Sequence, residues 1–118
     1  MYKFISFDGI DQFTPEAVKC YEEAIKEAQA AGSRVRAMIL CNPYHPLWKC
    51  CQEDPIIAYI KLCQKYSIHL TVGEMYGISI YKLPGAQKDS IKPVPFKSIL
   101  SIDSNKYIDK NYLHLLYG

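Results

Sequence analysis

The sequence predicts an α/β fold: a small, mostly parallel sheet whose strands are joined by crossover helices. Three observations predict it. Two near-continuous apolar runs, VRAMILC (35–41) and IHLTVG (68–73), read as strands of a parallel sheet. Each follows a segment whose apolar residues recur at helical spacing. A third apolar run, YLHLLYG (112–118), reads as a last strand.

Taken in order, YKFIS (2–6) has strand character, and FDGIDQF reads as a loop with Asp8-Gly9 as its turn signal. A helix follows: Thr14 suits its cap, Pro15 its first position, and Gly32 its stop. Val18, Tyr21, Ala24, Ile25 and Ala28 share one face. VRAMILC then predicts a central strand buried on both faces. Asp54-Pro55 repeats the cap-plus-proline start, with Ile56, Ile60 and Cys63 on one face and Ile57 widening it. GEMYGISIYKL fits a helical turn or a strand, and LPGAQKDSIKPVP (83–95) is loop by composition. The order is β-α-β-α-β, with YKFIS as an extra strand in front and right-handed crossovers throughout.

At 118 residues the chain predicts one domain, 1–118. Such a length buries roughly two thirds of the unfolded surface, enough for a true core. The formal charge of +2 is small and the basic residues are scattered, which argues against nucleic acid. No segment is long and apolar enough to cross a bilayer, and the N-terminus lacks a signal-peptide layout. The five cysteines are odd in number and lie in or beside apolar runs, which predicts reduced thiols and a cytoplasmic chain.

In open α/β sheets, ligands collect beyond the carboxyl ends of the strands. The first strand there delivers Asn42, Tyr44, His45 and Trp48, within CNPYHPLWKCC. The second delivers Gly73, Glu74 and Tyr76, and the third delivers Tyr117 and Gly118.

These residues resemble a known family. VRAMILCNPYHPLWKC resembles the NPxNPxG segment of the class I and II pyridoxal-phosphate aminotransferases, most of all the 1-aminocyclopropane-1-carboxylate synthase-like branch. VGEMY (72–76) is similar to the family's S-D-E-x-Y signature. SILSID and NYLHLLYG are similar to its run-up to the lysine motif, and TPEAVKCYEEAIKEAQAAGSRVRA to the helix before the first strand. The resemblance covers nearly the whole chain and implies the middle of a large cofactor domain. It also implies a truncated protein, because the phosphate-binding segment, the ring-stacking aromatic, the Schiff-base lysine and the carboxylate-gripping arginine have no counterpart in these residues. The family asparagine that contacts the cofactor's phenolic oxygen falls on His45, a family glycine on Trp48, and the aspartate that pairs with the pyridine nitrogen on Gly73. Tyr76 keeps the family's residue type, and Asn42 and Pro43 keep structural positions.

The resemblance therefore implies that the chain does not transaminate alone and that pyridoxal phosphate is disfavoured. Three functions stay open. One is a repurposed, cofactor-independent enzyme doing proton transfer or cyclisation on a small organic substrate, with His45, Tyr76 and Glu74 catalytic. In that reading Tyr44, Trp48 and Asn42 bind the substrate. The second is a non-catalytic remnant that binds a ligand or partner, and the third is a cofactor-binding fragment completed by another chain. The plainer reading makes His45 a solvated loop residue, Glu74 a surface carboxylate, Tyr76 a packed ring and Trp48 a plug. Adjacent Cys50 and Cys51 do not make a metal site, and nothing marks Cys50 as an activated nucleophile. His69 and His114 read as core or edge residues. An open edge at YLHLLYG and uncovered apolar faces predict a homo-oligomer, a dimer.

Overall fold

The computed structural model describes residues 5–47, 49–79 and 94–118. Helix α1 spans Ala17–Ala30, strand β1 Ala37–Cys41, helix α2 Glu53–Tyr66, strand β2 His69–Gly73 and strand β3 Leu113–Leu116. The three strands lie in the order β1-β2-β3 and both pairings are parallel. This is the small parallel α/β sheet that the sequence predicts. Most of the expected YKFIS strand, and most of 83–95, fall outside the described residues.

The helices begin differently from expectation. Thr14 does not cap α1; its hydroxyl donates to the Asp11 carbonyl at 2.9 Å, and the regular helix starts at Ala17. In α2 the residue before the helix is Gln52, and Pro55 lies inside the first turn. The ends follow the expected chemistry. Gly32 takes a left-handed φ of +75° just beyond α1, where the Ser33 N–H reaches back to the Ala28 carbonyl at 2.8 Å. Ser67 takes the same left-handed role after α2, with φ +52°.

Both helices pack on one face of the sheet. Ile25 of α1 and Ile56, Ile60 and Cys63 of α2 form a core with Leu70 and Val72 of β2, and Met38, Leu40, Leu113 and Leu115 pack against it. Strand alternation turns the intervening residues to the other face. That face carries Ile39, His69, Thr71, His114 and Leu116 in register across the three strands. Ile39 is 65% exposed and Leu116 is 55% exposed.

This corrects two expectations. Among the described residues VRAMILC is neither central nor buried on both faces: β1 is an edge, β2 is the central strand, and one side of the sheet is exposed. An all-apolar run records that both faces are fit to be covered, not that this chain covers both. The link from β2 to β3 also lacks a crossover helix among the described residues. It contains short 3-10 turns at Gly77–Ser79, Ile99–Ser101, Ser104–Lys106 and Lys110–Tyr112.

Candidate functional site

The carboxyl ends of β1 and β2 lie side by side, with Cys41 in register with Gly73. Beyond them the chain makes two turns. Asn42 leaves β1 with its N–H still bonded to the Gly73 carbonyl at 2.9 Å. The next residues loop back on themselves, where Tyr44 and Lys49 form an isolated antiparallel bridge. Beyond β2, Glu74 continues the ladder toward β3, its N–H bonded to the Leu116 carbonyl at 2.8 Å, before the chain turns through Gly77–Ser79.

Two of the predicted site residues are withdrawn from the surface. Glu74 is fully buried. One carboxylate oxygen accepts from the Ser98 hydroxyl at 2.6 Å and the other from the Ile99 N–H at 2.7 Å. Asn42 is equally buried. Its Oδ1 accepts from the Cys51 N–H at 2.8 Å and its Nδ2 donates to the Lys97 carbonyl at 3.2 Å. Together they tie the Lys97–Ile99 stretch to the strand ends. Buried polar groups need such partners, since each unmade bond costs desolvation free energy. A carboxylate and an amide so engaged are structural, so the expected catalytic role of Glu74 and substrate role of Asn42 meet a geometry that leaves them no open face. The plainer reading of Glu74 as a surface carboxylate fails as well.

The structure does bring His45 and Tyr76 together. Their rings stack with centroids 5.3 Å apart and planes 26° apart. His45 is exposed and Tyr76 is half-buried. Tyr44 sits edge-on against Phe13, centroids 5.8 Å apart. Trp48 lies outside the described residues. In the turns beyond β1 and β2 and just past β3, Leu47, Met75, Ile78 and Tyr117 are all more than half exposed. The thiols beneath are muted. Burial pushes the Cys51 thiol up to about 12, with help from the nearby charge of Asp11, and burial raises Cys50 as well. Burial thus disfavours the thiolate form at both cysteines.

Sequence reading missed Lys97, Ser98 and Ile99, which the two buried polar residues hold, and Lys97 also pairs with Glu53. Ser98 and Ile99 open SILSID, which the sequence marks only through the family resemblance and not as a source of donors. The available signal was a carboxylate directly after a buried strand, which calls for a donor. A cavity of about 510 Å³ opens elsewhere, between the Ile99–Asn105 segment and Leu113 and Leu115 of β3. None of the predicted site residues lines it.

A model of the aminotransferase class I and II family matches residues 13–110. The chain belongs to that family. Over 97 residues it is 31% identical to a Homo sapiens protein named probable inactive 1-aminocyclopropane-1-carboxylate synthase-like protein 2, an alignment covering 82% of this chain and 15% of that protein. Over 108 residues it is 30% identical to the probable aminotransferase tcpI of Claviceps purpurea, covering 92% and 24%. Over 107 residues it is 27% identical to 1-aminocyclopropane-1-carboxylate synthase 2 of Solanum lycopersicum, covering 91% and 20%. The chain thus spans between about a seventh and a quarter of the length of these relatives.

Within this family fold, the position resembling the pyridine-pairing aspartate is Gly73. A Cβ built there would lie in ordinary van der Waals contact with the Cys41 sulfur at 3.8 Å and the Leu40 carbonyl oxygen at 4.0 Å. The adjacent Glu74 does not substitute, because both its oxygens are engaged. Pyridoxal phosphate draws its electron-sink character from a ring nitrogen kept protonated by a carboxylate. The described residues at this position do not fit that requirement.

Proposed function

We propose that this aminotransferase-family chain works as a binding element and does not carry transamination chemistry of its own. One observation carries the reading. The polar residues at the strand ends, Asn42 and Glu74, are buried in hydrogen bonds to backbone and Ser98, while the segments leaving the strands expose Leu47, Met75, Ile78 and Tyr117. A surface of this kind favours association over proton transfer. Its occupant in this reading is a second copy of the chain, and β1 and β3, the sheet edges among the described residues, support the same dimer. The name of the human relative, which includes the word inactive, is in keeping with it. All five cysteines are free thiols, in keeping with a reducing, cytoplasmic setting.

Two measurements test this. Light scattering on the purified chain should give twice the monomer mass, and Met75→Lys with Ile78→Lys should return it to monomer. Titration with pyridoxal phosphate, followed by the fluorescence of Trp48, should show no saturable change. A monodisperse native monomer, or saturable cofactor binding at low concentration, would overturn the proposal.

A second reading rests on the His45–Tyr76 stack, which holds an imidazole and a phenol together at the strand ends. It makes the chain a cofactor-independent acid–base catalyst on a small organic substrate. A metabolite screen decides it. Turnover lost in His45→Ala and in Tyr76→Phe, with folding intact, supports catalysis. Unchanged or undetectable turnover returns the chain to the binding reading. A cofactor-binding half completed by another chain is the weakest reading, because of Gly73.

A further inference from the structure

We infer that the open face of the sheet carries a divalent transition-metal site built from His69 and His114. The sequence offered these two histidines no role beyond core or edge packing. The fold places them on neighbouring strands, both exposed on the uncovered face. His114 is in register with Thr71, so His69 lies diagonally across the β2–β3 ladder, two residues back. Both side chains stand on the same face of the sheet, within reach of each other. The Nδ1 of His69 and the Nε2 of His114 are 2.9 Å apart, with ring planes 35° apart.

That separation is what a chelating ion requires. Bonds of about 2.0–2.1 Å from one metal to two imidazoles, meeting at roughly 90–110°, place the nitrogens about 2.9–3.4 Å apart. In the ion-free pair one ring donates a hydrogen bond and the other accepts it. Binding moves that hydrogen to the donor ring's other nitrogen through solvent, so both facing nitrogens present lone pairs to the ion. Neutral imidazole suits nickel, copper and zinc, and water fills the remaining positions on this solvent-facing side. The Tyr112 ring lies against His69, centroids 5.0 Å apart, and limits how far that imidazole can turn. No group of three or more potential ligands occurs among the described residues, so the site is an open, two-histidine one. It is separate from the strand-end rings: His69 begins the strand that Gly73 ends, about 13 Å away at the usual rise per residue.

Such an ion joins β3 to β2. It meets both ligands only when the strands are paired, so binding favours the folded chain. The test uses the whole chain, freed of metal and titrated with Ni2+ while the histidine ring signals are followed by NMR. One ion per chain should broaden His69 and His114 together, with His45 unaffected at the first equivalent. His69→Gln and His114→Gln should each weaken binding by about tenfold or more. Ni2+ should raise the unfolding temperature of the native chain and not of the double variant. Equal broadening of His45, binding unchanged in either variant, or binding abolished by thiol alkylation alone would overturn the inference.

Discussion

The carboxylate of Glu74 accepts the backbone N–H of Ile99 at 2.7 Å in a fully buried setting. The pair joins the end of the central strand to a segment 25 residues on. Glu74→Ala leaves that N–H without a partner and should cost roughly 1–3 kcal/mol in urea unfolding. His45→Ala, at an exposed position, should stay within about 0.5 kcal/mol of the native chain. Equal losses in the two variants would contradict the structural assignment of Glu74.

Ser67 holds a left-handed backbone at the end of α2, with φ +52°. A side chain pays steric strain there that glycine avoids. Ser67→Gly should therefore stabilise the chain by about 0.5–1 kcal/mol, read as a higher urea midpoint with an unchanged slope. A destabilised variant would mean that the serine makes a contact worth more than the strain.

Glu22 joins the two helices by accepting from Lys65 Nζ and the Tyr66 hydroxyl, both at 2.7 Å. These bonds, with Lys26 nearby, lower its carboxyl from 4.5 to about 2. The folded pKa is depressed, so the contribution to stability is full above about 4.5 and fades as the pH falls toward about 2. Glu22→Gln should flatten the acid limb of stability over that window. The difference should shrink in high salt, because the group is exposed to screening. An acid limb identical in the two proteins would rule the linkage out.

Burial raises Cys50, and pushes Cys51 and Cys63 up to about 12. Cys20 and Cys41 are half-buried. Iodoacetamide at pH 8 should label Cys20 and Cys41 first, and the other three only as the chain unfolds, as peptide mass mapping reads directly. Fast labelling of Cys50 in the folded chain would restore it as a nucleophile candidate.

The apolar runs located all three strands, because continuous hydrophobicity reports burial directly. They did not rank them. Ile39 is as apolar as Leu70, yet one faces solvent and the other the core, since pairing order and helix placement are long-range outcomes. The meeting of His45 and Tyr76 at the strand ends was legible from chain order alone. The burial of Glu74 was not legible because a carboxylate in sequence carries no sign of its donors, and SILSID, which supplies them, was marked only by the family resemblance. The histidine pair was invisible for the same reason: 45 residues separate its members, and only the β2–β3 register joins them.

The strand order β1-β2-β3 follows the order of synthesis, with both helices on the same face. Each strand therefore adds to the outside of what the ribosome has already made, and none must be inserted between two earlier partners. β1 and β2 with their helices can settle while the later segment is still being translated. The segment around Ser98 and Ile99, made later, then meets Glu74, so its two donors dock onto a charge that water would otherwise keep solvated.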